Sequence, residues 1–407
     1  MLCFHLPARL RLLILGLFLV GGLAGPASGG TGQSSDRSAP EKDARRTGRL
    51  WVYIGTYNVR ASKGIYLCQL DLADGKLEAA ALAAETANAT FLVHHPGRPL
   101  LYAINEVMQF SGQPTGSVSA FAIQPRTGRL TLLNQEPSGG RGPCHLAIDR
   151  GGRWVLTANY VGGSVACLPI GGDGRLGVPT CIVQHHGTGA IRQRQEAPHA
   201  HSIYLDAANR FALAADLGID RIMVYCFDAQ GGKLRPNQPP SFAAAPGAGP
   251  RHMAFHPNGR YVYAINELAS TVTAMRYDAA RGTLEAIQEL STLPADFDGS
   301  NTTAEVQIDA AGRFLYGSNR GHNSIAIFAV DGGTGKLRAV GHTPTGGKSP
   351  RNFALDPTGR WLLAANQDTD NVVLFRIEPA SGSLRPAGHS VAVPAPVCVE
   401  MLQPIEE

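Results

Sequence analysis

The sequence predicts an all-β fold, a seven-bladed β-propeller whose blades are four-stranded antiparallel sheets. A Gly-Arg pair, or a remnant of one, recurs seven times about every 50 residues, and each copy opens a short apolar strand. The chain contains 48 glycines and 27 prolines but only 17% charged residues, a composition typical of many short strands joined by turns. The copies are Gly48-Arg49, Gly97-Arg98, Gly152-Arg153, Asn209-Arg210, Gly259-Arg260, Gly312-Arg313 and Gly359-Arg360.

The last complete repeat shows the predicted blade most clearly. Phe353–Asp356 is a short apolar strand, and Asp356–Gly359 is a tight turn in which Asp caps, Pro presets φ and Gly accepts a positive φ. Trp361–Asn366 and Asn371–Ile377 are further apolar strands, and the turn Ser381–Leu384 leads into a fourth. β-Branched and aliphatic residues without a helical period predict a four-stranded meander.

The two ends of the repeat array complement each other. Gly48-Arg49 leads directly into Trp51–Ile54, a strand of the second type with no first strand before it. Pro396–Leu402 resembles a first strand with nothing after it. We expect the C-terminal strand to complete the N-terminal blade, because this closes the ring and hides its edges. The predicted propeller domain spans residues 49–403.

The N-terminus predicts export from the cytoplasm. Arg9 and Arg11 precede the apolar run Leu12–Val20, and small residues follow it, so residues 1–28 are predicted to be a signal peptide. Residues 29–48 are small, polar and charged and are predicted to be a disordered linker. We expect a periplasmic or secreted protein with no membrane contact after cleavage; an uncleaved anchor is the alternative.

The cysteine content bears on possible disulfide bonds, and the net charge bears on the class of binding partner. Signal cleavage leaves six cysteines, of which Cys167 and Cys181 could bridge neighbouring strands; the alternative is that most are small buried strand residues. The net charge is +4, without a basic run longer than Arg45-Arg46, so we expect no nucleic-acid partner. No zinc or calcium pattern is present, and we expect no cofactor.

Candidate functional residues are those that differ between repeats at equivalent positions. In a propeller, the starts of the first strands and the loops after the second strands meet at one mouth of the central channel. The repeated Asn or Asp that ends the second strand is predicted to be structural. The variable side chains of this mouth are His199, His201, Arg251, His252, Glu267, Glu305, Arg320 and Arg351.

These residue types suit the hydrolysis of an ester or lactone. A neutral imidazole can accept a proton from water, and a nearby carboxylate can orient it. A guanidinium can stabilise an oxyanion or bind a carboxylate or phosphate. The Gly-x-Ser-x-Gly motif of serine hydrolases does not occur in the sequence.

Several motifs resemble a known family. These are Tyr53–Tyr57, Ala158–Val165, Pro198–His201, Gly249–His252 and Ser318–Arg320. From about Leu50 to Leu402 the chain is similar to the lactonase family of seven-bladed propellers. That family includes the propeller-type 6-phosphogluconolactonase and the fungal carboxy-cis,cis-muconate lactonizing enzyme.

The resemblance implies roles for individual residues. It implies that His201, or else His199, is the general acid and base. It implies that Arg251 and Arg320 bind the substrate and that Glu267 is the acidic partner of Arg251. A further set is expected to contact the substrate, namely His199, His252, Glu305 and Arg351.

The predicted function is that of a secreted lactone hydrolase, a carboxylic ester hydrolase similar to 6-phosphogluconolactonase. It is expected to open a sugar lactone, either an aldonolactone or a phospholactone, by His-assisted attack of water while Arg side chains bind the substrate. The signal sequence departs from the family, because its phosphogluconolactonases serve a cytoplasmic pathway. An exported member would meet unphosphorylated aldonolactones more readily. The alternatives are a non-catalytic propeller that binds a ligand or protein, and a cycloisomerase of the muconate type.

Overall fold

The computed structural model describes residues 48–405, which form seven four-stranded antiparallel sheets arranged as the predicted propeller. Blade 1 contains β1 (Arg49–Thr56), β2 (Gly64–Asp71), β3 (Ala81–Glu85) and β28 (Pro396–Leu402). Blade 2 contains β4 (Ala89–His94), β5 (Leu100–Asn105), β6 (Ser117–Ile123) and β7 (Leu130–Pro137). Blade 3 contains β8 (Pro143–Ile148), β9 (Trp154–Asn159), β10 (Ser164–Pro169) and β11 (Cys181–Gln184).

In blades 2 to 7 the chain runs from the inner to the outer strand. Blade 4 contains β12 (Ala200–Leu205), β13 (Phe211–Asp216), β14 (Arg221–Asp228) and β15 (Lys233–Ala243). Blade 5 contains β16 (Pro250–Phe255), β17 (Tyr261–Asn266), β18 (Thr271–Asp278) and β19 (Thr283–Ser291). Blade 6 contains β20 (Thr302–Ile308), β21 (Phe314–Arg320), β22 (Ser324–Val330) and β23 (Leu337–Pro344). Blade 7 contains β24 (Pro350–Leu355), β25 (Trp361–Asn366), β26 (Asn371–Ile377) and β27 (Leu384–Ala392); short 3₁₀ turns cover Leu217–Ile219 and Gln367–Thr369.

Ring closure occurs as the sequence predicts. The C-terminal strand β28 pairs antiparallel with β1, with Trp51 opposite Leu402 and Ile54 opposite Val399. The order of this sheet is β28-β1-β2-β3, so β28 is its innermost strand. The pairing satisfies the backbone groups that β1 would otherwise present at an open edge.

The repeated turn is held by a carboxylate, as predicted. The Oδ1 atom of Asp356 accepts hydrogen bonds from the backbone amides of Arg360, at 2.8 Å, and Trp361, at 2.6 Å. Gly359 has a φ of 68°, a conformation in which a side chain would be strained. Asp149, Asp206 and Asp309 hold the corresponding turns in the same way.

The arginine of the repeat has a second role that the sequence did not reveal. In five of the seven repeats its guanidinium crosses to the next blade and donates to a backbone carbonyl there. Examples are Arg98 to Gly171 at 3.0 Å and Arg260 to Gly332 at 2.8 Å. Arg360 of the last blade donates to the carbonyl of Leu72 in the first blade, so these contacts also span the closure.

The N-terminal predictions concern residues that the structure does not describe. The predicted signal peptide, residues 1–28, and the predicted linker up to residue 47 lie outside the described part of the chain. Within residues 48–405, none of the helical segments has the length and apolar character needed to cross a membrane.

The cysteines of the described residues are all free thiols. Cys167 and Cys181 lie directly opposite each other on β10 and β11, as their predicted proximity requires, but they are not bonded. Cys68, Cys144 and Cys398 are buried, which agrees with the alternative that these residues serve as small core side chains.

Removal of the closing strand tests whether the ring depends on it. A chain that ends at Pro394 lacks β28 and leaves the inner edge of β1 without a partner, so we expect aggregation and no cooperative thermal transition by circular dichroism. The control chain ends at Pro404, retains β28 and is expected to unfold like the full chain. Cooperative unfolding of the shorter chain near the control temperature would contradict the dependence on closure.

Candidate active site

Two cavities occupy the central channel, one at each end. The smaller, of about 320 Å³, lies where the inner strands begin. The larger, of about 720 Å³, lies at the opposite end and has mainly apolar walls that include Leu146, Met253 and Val306. The charged side chains converge on the smaller cavity, so we regard that mouth, despite its size, as the candidate active site. It is lined by Glu106, Cys144, Tyr160, Arg194, His201, Glu267, Thr302, Arg320 and Arg351.

A β-bulge near the start of each inner strand supplies one group of the mouth residues. In β12, Ala200 pairs with Asp216 and Ser202 with Ala215, so His201 is the extra residue. The register shifts in the same way around Cys144, Arg251 and Arg351. A bulged residue leaves the regular alternation of the strand, and bulges commonly direct side chains into active sites.

The residue after the strand-end Asn supplies the second group. Asn319 is fully buried, and its side-chain amide donates to the carbonyl of Thr292 at 2.8 Å, so the repeated Asn is structural. The residues that follow this position, Glu106, Tyr160, Glu267 and Arg320, all line the mouth. Each group therefore occupies one equivalent position that recurs in several blades.

Glu267 is the centre of a buried cluster of charges. Its Oε2 atom lies 2.9 Å from Nε of Arg251 and 3.0 Å from a terminal nitrogen of Arg320. Its Oε1 atom lies 2.6 Å from a terminal nitrogen of Arg194. Burial alone would raise the pKa of Glu267, but the guanidiniums of Arg320, Arg251 and Arg194 outweigh it and lower the pKa to about 2. The carboxylate is therefore charged at any physiological pH.

His201 is a buried, neutral imidazole at the cavity wall. Burial, followed by the nearby charge of Arg251, lowers its pKa well below the ordinary value of 6.5. Its Nδ1 atom lies 3.7 Å from Sγ of Cys144, and Tyr160 meets the ring edge-on with centroids 5.3 Å apart. The carboxylate expected to orient this histidine is not its neighbour; the Cys144 thiol occupies that place.

Arg351 belongs to a second polar group of the mouth. It donates to the hydroxyl of Tyr57 at 3.0 Å, and that hydroxyl lies 2.9 Å from the carboxylate of Glu106. Glu106 therefore compensates the charge of Arg351 through Tyr57, while Glu267 alone compensates the three other guanidiniums.

A second candidate histidine, His252, has a buried carboxylate partner and lies deeper in the channel. Nδ1 of His252 is 3.1 Å from Oε2 of Glu305, and Asn352 donates to the same oxygen at 2.5 Å. Burial raises the pKa of Glu305 to about 7 against the opposing effect of Arg251. Glu305 faces the larger cavity, and Nε2 of His252 is buried without a partner among the described residues.

The eight residues singled out from the sequence thus lie at different places in the channel. His201, Glu267, Arg320 and Arg351 line the mouth cavity. Arg251 lies behind Glu267, buried, with a hydrogen bond of 2.7 Å to the carbonyl of Ala304, and does not face the cavity. His252 and Glu305 lie deeper in the channel than the mouth cavity. His199 stacks on Tyr160 with the ring centroids 4.5 Å apart.

Five mouth residues were not singled out from the sequence: Arg194, Tyr160, Cys144, Glu106 and Thr302. Cys144, Glu106 and Tyr160 occupy the bulge or post-Asn positions that the comparison between repeats covered, but they were not selected there as candidates. Arg194 lies on a long loop without a counterpart in the other blades. Within residues 48–405 no group of His, Cys, Asp or Glu side chains is arranged to bind a metal ion.

Comparison with known proteins identifies the class of protein. The family model for the lactonase seven-bladed β-propeller matches residues 51–401, so the chain belongs to this family. The predicted family, fold and enzyme class, a lactonase type of carboxylic ester hydrolase, are thereby confirmed.

Particular relatives cover almost the whole propeller. The 6-phosphogluconolactonase of Bacillus subtilis is 38% identical over 353 residues, which is 87% of this chain and 98% of the relative. The 6-phosphogluconolactonase of Formosa agariphila is 31% identical over 74% of this chain and 85% of the relative. The structure of the periplasmic gluconolactonase of Pseudomonas aeruginosa superposes with a TM-score of 0.83 at 31% identity, covering 88% of this chain and 100% of that one.

The raised pKa of Glu305 predicts a pH dependence of stability. Its pKa rises from 4.5 to about 7 on folding, so the folded protein binds more protons between these values and stability falls as the pH rises through this window. The free energy of unfolding decreases by on the order of 3 kcal/mol across this window. The free energy of unfolding is measured with urea at pH 5 and pH 8. For Glu305→Gln we expect the part of its decrease that comes from Glu305 to be absent. An identical slope in both proteins would contradict the assignment.

Proposed function

We propose that this protein hydrolyses a sugar lactone at the small cavity of the channel mouth. The observation that carries the proposal is the position of a neutral histidine, His201, beside guanidiniums that a single carboxylate, Glu267, only partly compensates. Hydrolysis of a lactone needs a base for water and positive charge for the developing oxyanion, and this arrangement supplies both.

In the proposed first step, water attacks the lactone carbonyl carbon while His201 accepts the proton of that water. Nε2 is the atom assigned to this step, since Nδ1 is in contact with the Cys144 thiol. Burial, and after it the nearby charge of Arg251, lowers the pKa of His201 and makes an imidazolium unfavourable before the reaction. As the oxyanion forms, its negative charge offsets that cost, so the positive and negative charges develop together.

Arg320 and Arg351 are the proposed contacts for the oxyanion, because both guanidiniums face the cavity. Burial lowers the pKa of Arg320 to about 9, and the group therefore remains charged at neutral pH. In the second step the tetrahedral intermediate collapses and the ring C–O bond breaks. His201 returns its proton to the departing alkoxide, and the product is the open hydroxy acid.

Arg251 is a proposed positioning residue in this mechanism. It is 2% exposed, and it holds Glu267, which in turn holds Arg320. Cys144 is not assigned as a nucleophile, because burial raises the pKa of its thiol and its Sγ lies 3.2 Å from the carbonyl oxygen of His201.

We also propose that the protein acts outside the cytoplasm. The N-terminal pattern of residues 1–28 supports this, as does the likeness to a periplasmic gluconolactonase of Pseudomonas aeruginosa. An unphosphorylated aldonolactone is the substrate that fits this location.

Substitution of the two cavity residues tests the mechanism. We expect His201→Ala and Arg320→Ala each to lower kcat/KM for glucono-1,5-lactone by about a hundredfold or more, since each removes proton transfer or oxyanion stabilisation. The rates are measured by acid release at pH 6.5 and corrected for spontaneous hydrolysis.

The matched controls are His186→Ala and Arg338→Ala, which remove exposed side chains of the same types. Both should keep the wild-type rate. Unchanged rates in the cavity variants would refute the assigned roles. Absence of lactone turnover in the folded wild-type protein would refute the proposed function.

Fractionation of cells tests the proposed location. We expect the C-terminally tagged full chain to be recovered from the periplasm or medium, with a mature N-terminus near residue 29 by mass spectrometry. Recovery of the uncleaved chain from the cytoplasm would contradict export, and recovery of the uncleaved chain from membranes would favour an anchor.

A further inference from the structure

The larger cavity lies at the end of the channel opposite the proposed active site. All seven inner strands contribute to its wall, from Phe91 on β4 to Val399 on β28. Its volume of about 720 Å³ falls within the range of pockets that hold small organic molecules. The exposed residues Ala207, Ala208 and Pro257 lie at its rim, so the cavity is open to solvent on this face.

A layer of packed rings separates this cavity from the mouth. His252 meets His201 of the mouth with the ring centroids 5.2 Å apart, and it meets His145 of the larger cavity at the same distance. Phe91 and Tyr204 pack against His145 with centroid distances of 4.2 and 4.7 Å. Among the described residues, none lines both cavities. A molecule in the larger cavity would therefore contact this ring layer and not the groups assigned to hydrolysis.

His145 carries a buried hydrogen-bond donor that lacks an acceptor. The residue is 2% exposed, and burial lowers its pKa well below the ordinary value of 6.5, so the imidazole is neutral. Its Nδ1 atom accepts from the backbone amide of Ile203 at 3.3 Å, which assigns the proton to Nε2. Nε2 is buried and has no hydrogen-bond partner among the described residues. Because a buried N–H group without an acceptor is costly, this position favours a ligand that supplies an oxygen.

The charges of the wall indicate that the ligand is uncharged. Three carboxyl groups line the cavity, those of Asp206, Glu305 and Glu400, and Arg150 at the rim supplies the one guanidinium among the described wall residues. An anion would therefore meet like charge on most sides. An ammonium ion supplies donors only, so it would leave the Nε2–H group of His145 without an acceptor.

We propose that the larger cavity is a second ligand site, which binds a small uncharged molecule with an aromatic or aliphatic body and an oxygen acceptor. The body packs against the ring layer and against apolar wall residues such as Leu146 and Val306, and the oxygen accepts a hydrogen bond from Nε2 of His145. The inference does not depend on the proposed lactone hydrolysis, because it uses none of the residues of the mouth.

The test uses three probes of nearly equal size with the purified full-length protein. Acetophenone has a carbonyl acceptor, α-methylstyrene has a methylene group in place of that oxygen, and benzoate has a negative charge. Binding is measured by ligand-observed NMR titration at pH 7. We expect a Kd below about 1 mM for acetophenone and binding of benzoate that is at least about tenfold weaker.

Two substitutions in the cavity wall locate the site. His145→Phe keeps a ring and removes the donor, so it should weaken acetophenone about three- to tenfold and change the Kd of α-methylstyrene less than about twofold. Ala147→Phe adds a ring at a partly exposed position of the wall and should weaken both probes. The matched control is Ala243→Phe, at an exposed residue of the outer strand β15, and it should change neither Kd. The thermal transition by circular dichroism establishes that each variant is folded.

The other outcomes would overturn the inference. Absence of saturable acetophenone binding to the folded wild type would exclude the site. Equal losses for acetophenone and α-methylstyrene in His145→Phe would exclude the hydrogen bond. Unchanged binding in Ala147→Phe would place the probe outside the larger cavity, and benzoate binding as tight as that of acetophenone would exclude the preference for an uncharged ligand.

Discussion

The pairing of β28 with β1 is the constraint on which the rest of the structure depends. It fixes the number of blades and joins the first and last units of the chain through a continuous ladder. The contacts between blades, such as that from Arg360 to Leu72, then run around the whole circle. A closed ring holds its inner strands at a fixed distance from the axis, and this rigidity allows Glu267 and its guanidiniums to remain close together away from bulk water.

Much of the fold could be predicted from the sequence because each blade repeats the same local requirements. The turn at Asp356–Gly359 needs a capping carboxylate and a residue with positive φ, and both are visible as residue types. The split blade could be predicted because its two halves are recognisable separately. The contacts of the repeated arginines could not be predicted from the sequence. The carbonyl that Arg98 reaches in the next blade depends on the angle between the two sheets.

The sequence predicts which residues lie at the mouth of the channel, because the position along the strand determines this. It does not predict how deep each side chain lies. His201, Glu267, Arg320 and Arg351 were found because equivalent positions in a closed ring lie at the same height. The depth of each side chain was not predictable: Arg251 occupies a position equivalent to Arg351 but lies behind Glu267. Cys144 is the neighbour of His201 because the preceding blade places its bulge there, and no local sequence pattern records which side chains meet across blades.

The β-bulges give this site a modular character. A bulged residue is not part of the regular ladder, and the flanking pairs, such as Ala200 with Asp216 and Ser202 with Ala215, form on either side of it. The requirements of strand pairing at these positions are therefore weak, and the side chain can be exchanged with little effect on the neighbouring ladder. Several blades thus offer a variable position at the same mouth, as Cys144, His201 and Arg351 show. A propeller of this kind can acquire a new substrate by single substitutions in separate blades while the framework stays constant.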